Sequence, residues 1–88
     1  MKPLEFERDA DRVLAYSDSS GIWINAIWTV GIPKAAAIEY AKTFDSSPAK
    51  GFCRDDNGQV VLSHGSGKII LSEEEAAAIV ALIEESFQ

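Results

Sequence analysis

Residues 21–30, GIWINAIWTV, form the longest apolar run of the chain and carry both of its tryptophans. β-Branched and aromatic residues dominate the run, and because they lose rotamer freedom on a helix we predict a strand. Successive side chains of a strand point to opposite faces. One face is then entirely apolar and is predicted to join the core, with Ile22, Ile24, Ala26, Trp28 and Val30.

The opposite face of this strand is mixed in character and carries Trp23, Asn25, Ile27 and Thr29. Tryptophan is enriched among the residues that dominate protein–protein binding energies. Two alternatives follow: a helix of the same chain packs over this face, or the face is uncovered and binds a partner. Trp23, Asn25 and Ile27 are therefore candidate partner-binding residues, and the sequence leaves the choice between core and interface open.

Length and composition indicate a single compact domain that spans residues 1–88. The apolar fraction of 47% and the charged fraction of 25% are those of an ordinary globular protein. The single cysteine, Cys53, excludes an internal disulfide and fits a reducing compartment. Residues 1–12, MKPLEFERDADR, contain no apolar signal-peptide segment. No run approaches the roughly 20 apolar residues of a membrane span, so we expect a cytoplasmic protein without membrane association.

The chain is acidic, because 14 Asp and Glu residues against 8 Lys and Arg residues give a formal charge of −6. Direct nucleic-acid binding relies on a basic stripe that neutralises phosphates, so we do not expect it here. A negative surface suits a partner protein with a basic surface. The other interpretation is that the charge only keeps a small protein soluble.

Residues 3–17 admit two interpretations that the sequence does not separate. As a helix, the segment places apolar residues from Phe6 to Leu14 at helical spacing. As strands, it turns Leu4 and Phe6 inward. The turn at residues 18–21, DSSG, then pairs the second of these strands with GIWINAIWTV.

In the strand interpretation a row of carboxylates lines the N-terminal strand, formed by Glu5, Glu7, Asp9 and Asp11. Their spacing would be roughly 6.6 Å, twice the rise per residue, and such a row could imitate a nucleic-acid backbone within a basic groove. Arg8 and Arg12 dilute the row, and charge on an edge strand also serves simply to prevent edge pairing. The four carboxylates join the Trp23 group as candidate partner-binding residues.

Two helices are predicted in the remainder of the chain. Pro33 suits the first turn of a helix over residues 33–45. Ser72 and Glu75 match a capping box, which predicts the start of a helix over residues 72–87.

Short strands account for most of what remains. Gly31 is expected to end the central strand. Three further strands are predicted over residues 52–55, 59–63 and 68–71. Asn57-Gly58 is a strong hairpin signal, and residues 64–67 supply a second turn. Together these elements predict a small single α+β domain, in which a mainly antiparallel sheet of about four to six strands packs with two helices, 33–45 and 72–87.

Two segments resemble ligand-binding loops without matching them. Residues 63–68, SHGSGK, resemble a phosphate loop, but a Walker A motif needs a glycine and a Ser or Thr where Leu62 and Ile69 stand. Residues 55–58, DDNG, resemble half of a calcium loop, but that register puts non-acidic residues at both of its ends. Hairpin turns explain both segments, although the first could still form a small anion-binding nest.

Cys53 and His64 are the only cysteine and the only histidine. A catalytic pair would need them in contact with a third group that orients the base, and nothing in the sequence supplies one. A single thiol on a strand is more often a small buried hydrophobe. One cysteine and one histidine do not fill a zinc site. We therefore expect no enzymatic activity, no bound metal and no cofactor.

The function expected from these features is that of a small, non-enzymatic protein-binding module, an inhibitor or regulator that occupies a partner's surface. One example would be a phage- or mobile-element-encoded antagonist of a nucleic-acid-handling host complex, such as a defence system. Two alternatives stay open. The chain could be a homo-oligomeric structural protein, for instance a homodimer through its mixed face, or a sponge for a small molecule such as a nucleotide, held by the turn at residues 65–68.

Overall fold

The computed structural model describes residues 3–8, 12–26, 29–45 and 51–87. Within these residues it has two antiparallel sheets, of four and three strands, and two helices. The elements are β1 (Leu4–Glu7), β2 (Arg12–Ser17), β3 (Gly21–Asn25), β4 (Thr29–Pro33), α1 (Lys34–Thr43), β5 (Phe52–Arg54), β6 (Val60–His64), β7 (Gly67–Leu71) and α2 (Glu73–Phe87). The predicted α+β class is confirmed, and its strands divide between two sheets.

The four-stranded sheet has the order β1-β2-β3-β4, so each strand pairs with the next one along the chain. We call the face that meets the helices the inner face. It carries apolar side chains from all four strands: Leu4, Phe6, Val13, Ala15, Ile22, Ile24, Val30 and Ile32. Apolar residues at alternate positions all face one side only when the chain is extended. The described part of residues 3–17 therefore forms strands, and the helical alternative is wrong for it.

The stretch 21–30 forms two strands of a hairpin, and the prediction of one continuous strand is wrong. β3 ends at Asn25, and β4 runs from Thr29 through Gly31, so this glycine lies within a strand and does not end one. The Thr29 hydroxyl donates a hydrogen bond to the Asn25 side-chain oxygen. Asn25 and Thr29 are the only polar residues of this otherwise apolar run, so the sequence gives little indication of a turn between them.

The division between core and outer positions nevertheless follows the prediction. Asn25 pairs with Thr29, four residues further along the chain. Because this number is even, even-numbered residues lie on the inner face in both strands. Ile22, Ile24 and Val30 are buried accordingly. Ala26 is half-buried against the core, and Trp28 lies outside the described residues.

The three-stranded sheet has the order β5-β6-β7 and consists of the two predicted hairpins. Gly58 and Gly65 adopt positive φ angles of 78° and 60° at the two turns, a conformation that favours glycine. Its buried side chains are Phe52, Val60, Leu62, Ile69 and Leu71. β4 contacts β6 and β7, so the two sheets share one core.

Both predicted helices are confirmed, as α1 and α2, and they pack on each other and on the inner face. The start of α1 is tied to the β2–β3 turn, because Lys34 N–H donates to the Ser20 carbonyl at 2.8 Å. The capping box of α2 forms as expected. Glu75 N–H donates to Ser72 Oγ at 3.0 Å, and Ser72 N–H donates to Glu75 Oε1 at 2.9 Å.

Candidate protein-binding face

The face of the four-stranded sheet opposite the helices, which we call the outer face, carries both groups of predicted site residues. Trp23 pairs with Tyr16 on one side and with Gly31 on the other. Asn25 pairs with Leu14, which in turn pairs with Glu5. Cross-strand partners share a face, and residues two apart on a strand share it too. Trp23, Asn25, Glu5 and Glu7 are therefore brought together on one surface, whereas Ile27, Asp9 and Asp11 lie outside the described residues.

Neither described helix covers the outer face. α1 contacts β3 and β4, and α2 contacts β1 and β2, in both cases from the inner side. Trp23 and Asn25 remain half-buried, and Glu5 and Glu7 are exposed. One of the two alternatives was that a helix of the same chain covers Trp23. Neither α1 nor α2 does so.

The Trp23 indole is held in a defined position at two points. Its Nε1–H donates a hydrogen bond to Asp18 Oδ2 at 2.8 Å. Its six-membered ring lies over the backbone of Gly31, where a Cβ atom would come within 2.6 Å of the ring. Both contacts restrict the side-chain rotamers before any partner arrives, and less entropy is then lost on binding.

Asp18 joins the candidate site in the structure, whereas the sequence places it only in a turn. Its Oδ1 accepts hydrogen bonds from Ser20 Oγ at 2.7 Å, Ser20 N–H at 2.8 Å and Gly21 N–H at 3.1 Å. Bonds from Ser20, followed by that from Trp23, stabilise the carboxylate and hold the pKa of Asp18 below its usual value. The DSSG turn signals the Asp18–Ser20 bonds, but nothing in the sequence signals the bond to Trp23.

The charge of the outer face is negative. Among described residues, Glu5 and Glu7 lie on it and Asp18 borders it, while Arg12 is its one cation and forms an exposed ion pair with Glu5 at 3.4 Å. Arg8, expected to dilute the carboxylate row, instead points away and pairs with Glu75, with 2.6 Å between Nη2 and Oε1. Of these two arginines, Arg12 alone therefore shares the outer face with the described carboxylates of the row, Glu5 and Glu7.

Cys53 and His64 lie on opposite faces of the three-stranded sheet. Cys53 pairs with Val61, whereas His64 follows Leu62 on the opposite face of the same sheet. His64 Nδ1 is hydrogen-bonded to the Tyr40 hydroxyl at 2.9 Å. The Cys53 thiol is exposed, so its interpretation as a small buried hydrophobe is wrong. It lies on the outward side of a three-stranded sheet whose other side packs into the core.

Side chains that could bind a metal ion are not clustered in the described part of the chain. Nowhere within it do three or more His, Cys, Asp or Glu side chains come close enough to hold a metal ion. Of residues 65–68, the first two form the hairpin turn between β6 and β7, and Gly67 and Lys68 begin β7.

Comparisons with known proteins found no matching family model, no matching curated protein and no matching solved structure. Among the described residues, no helix has the length and apolar character needed to cross a membrane.

Proposed function

We propose that this chain is a small acidic protein-binding module that occupies the surface of a partner protein and thereby inhibits or regulates it. One observation carries the proposal: Trp23 and the carboxylates Glu5 and Glu7 lie on the same sheet face, which neither described helix covers. An aromatic anchor with charged residues around it is the usual composition of a binding hot spot and its rim.

The partner would present a basic surface. Opposite charge accelerates encounter and orients the two proteins, while burial of the indole supplies most of the affinity. A groove that normally accepts a nucleic-acid backbone has the required charge, which agrees with an antagonist of a nucleic-acid-handling complex. Occupying such a groove requires binding alone and no turnover.

The proposal is tested by affinity capture from lysate of the native host, with variants that separate the outer face from the rest of the surface. Trp23→Ala removes the anchor, and the double variant Glu5→Gln/Glu7→Gln removes two charges without changing shape. Ile70→Ser is the matched control, because Ile70 is 50% exposed on the other sheet. Circular dichroism and the melting temperature establish that each variant is folded.

We expect a stoichiometric partner with wild type and Ile70→Ser, little of it with Trp23→Ala, and salt-sensitive weakening with the Glu5→Gln/Glu7→Gln variant. Hydrogen exchange on the purified complex should then show protection in the four strands of this sheet, β1 to β4. Equal capture by all four proteins would show that the outer face is not the binding face. Recovery of the chain alone would favour self-association.

A further inference from the structure

A groove of about 440 Å³ runs beside Trp23 on the outer face. Gly21 and Gly31 contribute no side chains to it, while Trp23 and Pro33 line it. The register places Gly31 opposite Trp23 and Gly21 opposite Pro33, so the Trp23 ring can lie flat over the β4 backbone and form one side of the groove. The result is an open slot with an aromatic side.

The carboxylate of Asp18 is bonded to three of the residues that line this groove. Asp18 bonds to the amides of Ser20 and Gly21, and both residues line the groove. Its Oδ2 accepts the indole N–H of Trp23, and a carboxylate oxygen can accept a second donor. Its hydrogen bonds from Ser20 and Trp23 lower its pKa, which favours the ionised form that an aspartate already has at neutral pH.

We propose that this groove takes an arginine side chain of the partner, with the guanidinium stacked on the Trp23 indole and hydrogen-bonded to Asp18. The inference rests on the proposed function and specifies what the outer face recognises. An arginine matches both parts of the groove, because its planar cation stacks on aromatic rings and its fork of donors suits a carboxylate. A lysine offers a compact, strongly hydrated charge and matches only the carboxylate well.

The groove and the carboxylate row would recognise different features of the partner. Glu5 lies two strands away from Trp23, or roughly 10 Å across the sheet, so it is placed for a second basic residue of the partner. Glu5 and Glu7 would supply attraction that any cation satisfies, whereas the groove would supply the choice of arginine.

The test uses blocked tripeptides as probes: acetyl-Gly-Arg-Gly-amide, its lysine counterpart, and its citrulline counterpart, which has nearly the same shape without the charge. Binding is followed through the indole N–H resonance of Trp23, assigned with a Trp23→Phe variant. Asp18→Asn removes the charge of the groove. Asp55→Asn is the matched control, because Asp55 Oδ1 accepts backbone N–H bonds from Asn57 and Gln59 in a turn of the other sheet.

We expect the arginine probe to shift the Trp23 resonance saturably, and the citrulline probe to bind at least about threefold more weakly, the factor typical of an exposed cation–π contact. Asp18→Asn should weaken the arginine probe by a similar factor, and Asp55→Asn should leave it unchanged. Equal binding of arginine and citrulline, or an unaffected Asp18→Asn variant, would overturn the assignment.

The two proposals fail in distinguishable ways. If the arginine probe does not bind but capture of the partner still depends on Trp23, the arginine assignment is wrong and the binding face stands. If the probe binds as expected but Trp23→Ala captures the partner normally, the outer face is not the partner's site, and both the proposed function and the partner's arginine are rejected.

Discussion

At Gly31 the lack of a side chain determines where the Trp23 indole lies. This glycine does not have a positive φ angle, so its backbone would accept alanine. A Cβ atom there would come within 2.6 Å of the indole, which is the outer part of a side chain and can move. We expect Gly31→Ala to displace the ring and to change stability by less than about 1 kcal/mol.

The displacement is measured by near-ultraviolet circular dichroism and by the Trp23 indole N–H resonance, which should lose the shift caused by Asp18. An unchanged resonance would mean that the ring is not packed on Gly31. The same variant should weaken both partner binding and the arginine probe, although it removes neither the indole nor any charge.

Gly21→Ala is expected to behave differently, although Gly21 lies on the same strand pair. Its Cβ would meet the Ile32 carbonyl oxygen at 2.0 Å, and a backbone atom of a paired strand cannot move aside. We expect a loss of about 2 kcal/mol or more in the free energy of unfolding. Urea unfolding of Gly21→Ala and Gly31→Ala under the same conditions compares their free energies of unfolding. Equal values would contradict the expected difference.

Glu75 joins the N-terminal hairpin to α2 through Arg8 and Ser72. Burial, the largest single influence, favours its neutral form, but the bonds from Arg8 and Ser72 together outweigh it and lower the pKa of Glu75 below 4.5. A carboxyl with a lowered folded-state pKa stabilises the fold fully above its unfolded value. That contribution is lost as the pH falls through the folded value.

We therefore expect Glu75→Gln to cost about 1 to 2 kcal/mol at neutral pH, because glutamine keeps the capping bond and loses the ion pair. The difference from wild type should shrink on acidification below about pH 4.5. Urea unfolding at a series of pH values measures this. Glu74→Gln is the matched control, because Glu74 is an exposed residue of the same helical turn. A constant difference at all pH values would reject the role of the charge.

Among the elements, α2 contributes the largest apolar stripe to the core, with Ala76, Ile79, Val80, Leu82 and Ile83. Ile79 is fully buried, whereas Ile70 on β7 is 50% exposed. We expect Ile79→Ala to lower the free energy of unfolding by about 2 to 5 kcal/mol through the cavity it leaves. Ile70→Ala should cost less than about 1 kcal/mol. Chemical denaturation of both variants measures the two changes in the free energy of unfolding. Similar changes would contradict the assignment of Ile79 to the core and of Ile70 to the surface.

For the whole molecule, the charge of the outer face opposes its use as a self-interface. A two-fold interface brings the same patch of both subunits together, so the charges of Glu5 and Glu7 would face a surface of the same sign. We expect the purified chain to sediment as a monomer over a wide concentration range at moderate salt. A dimer that dissociates on Trp23→Ala would instead support the homo-oligomeric alternative.

Local signals in the sequence predicted most of the elements correctly. The Ser72–Glu75 capping box, the Asn57-Gly58 hairpin and the two helices depend on residues close together in the chain, so neighbouring residues are enough to specify them. The hairpin within residues 21–30 was not predicted. The paired residues Asn25 and Thr29 are an even number of residues apart, so even-numbered residues face the core in both strands of the hairpin. One long strand would give the same alternating pattern, and the sequence therefore does not distinguish the two.

The sequence by itself determined the α+β class, both helices and, among the described residues of GIWINAIWTV, that Ile22, Ile24 and Val30 belong to the core, because alternation and capping act over a few residues. Only the tertiary structure decided that both described helices lie on the inner face, so that neither covers Trp23 on the face it shares with Glu5 and Glu7. It also decided that Asp18 and Gly31 position the indole. These outcomes depend on which strands pair and in which register, and that is settled by burial across the whole chain rather than by any one segment.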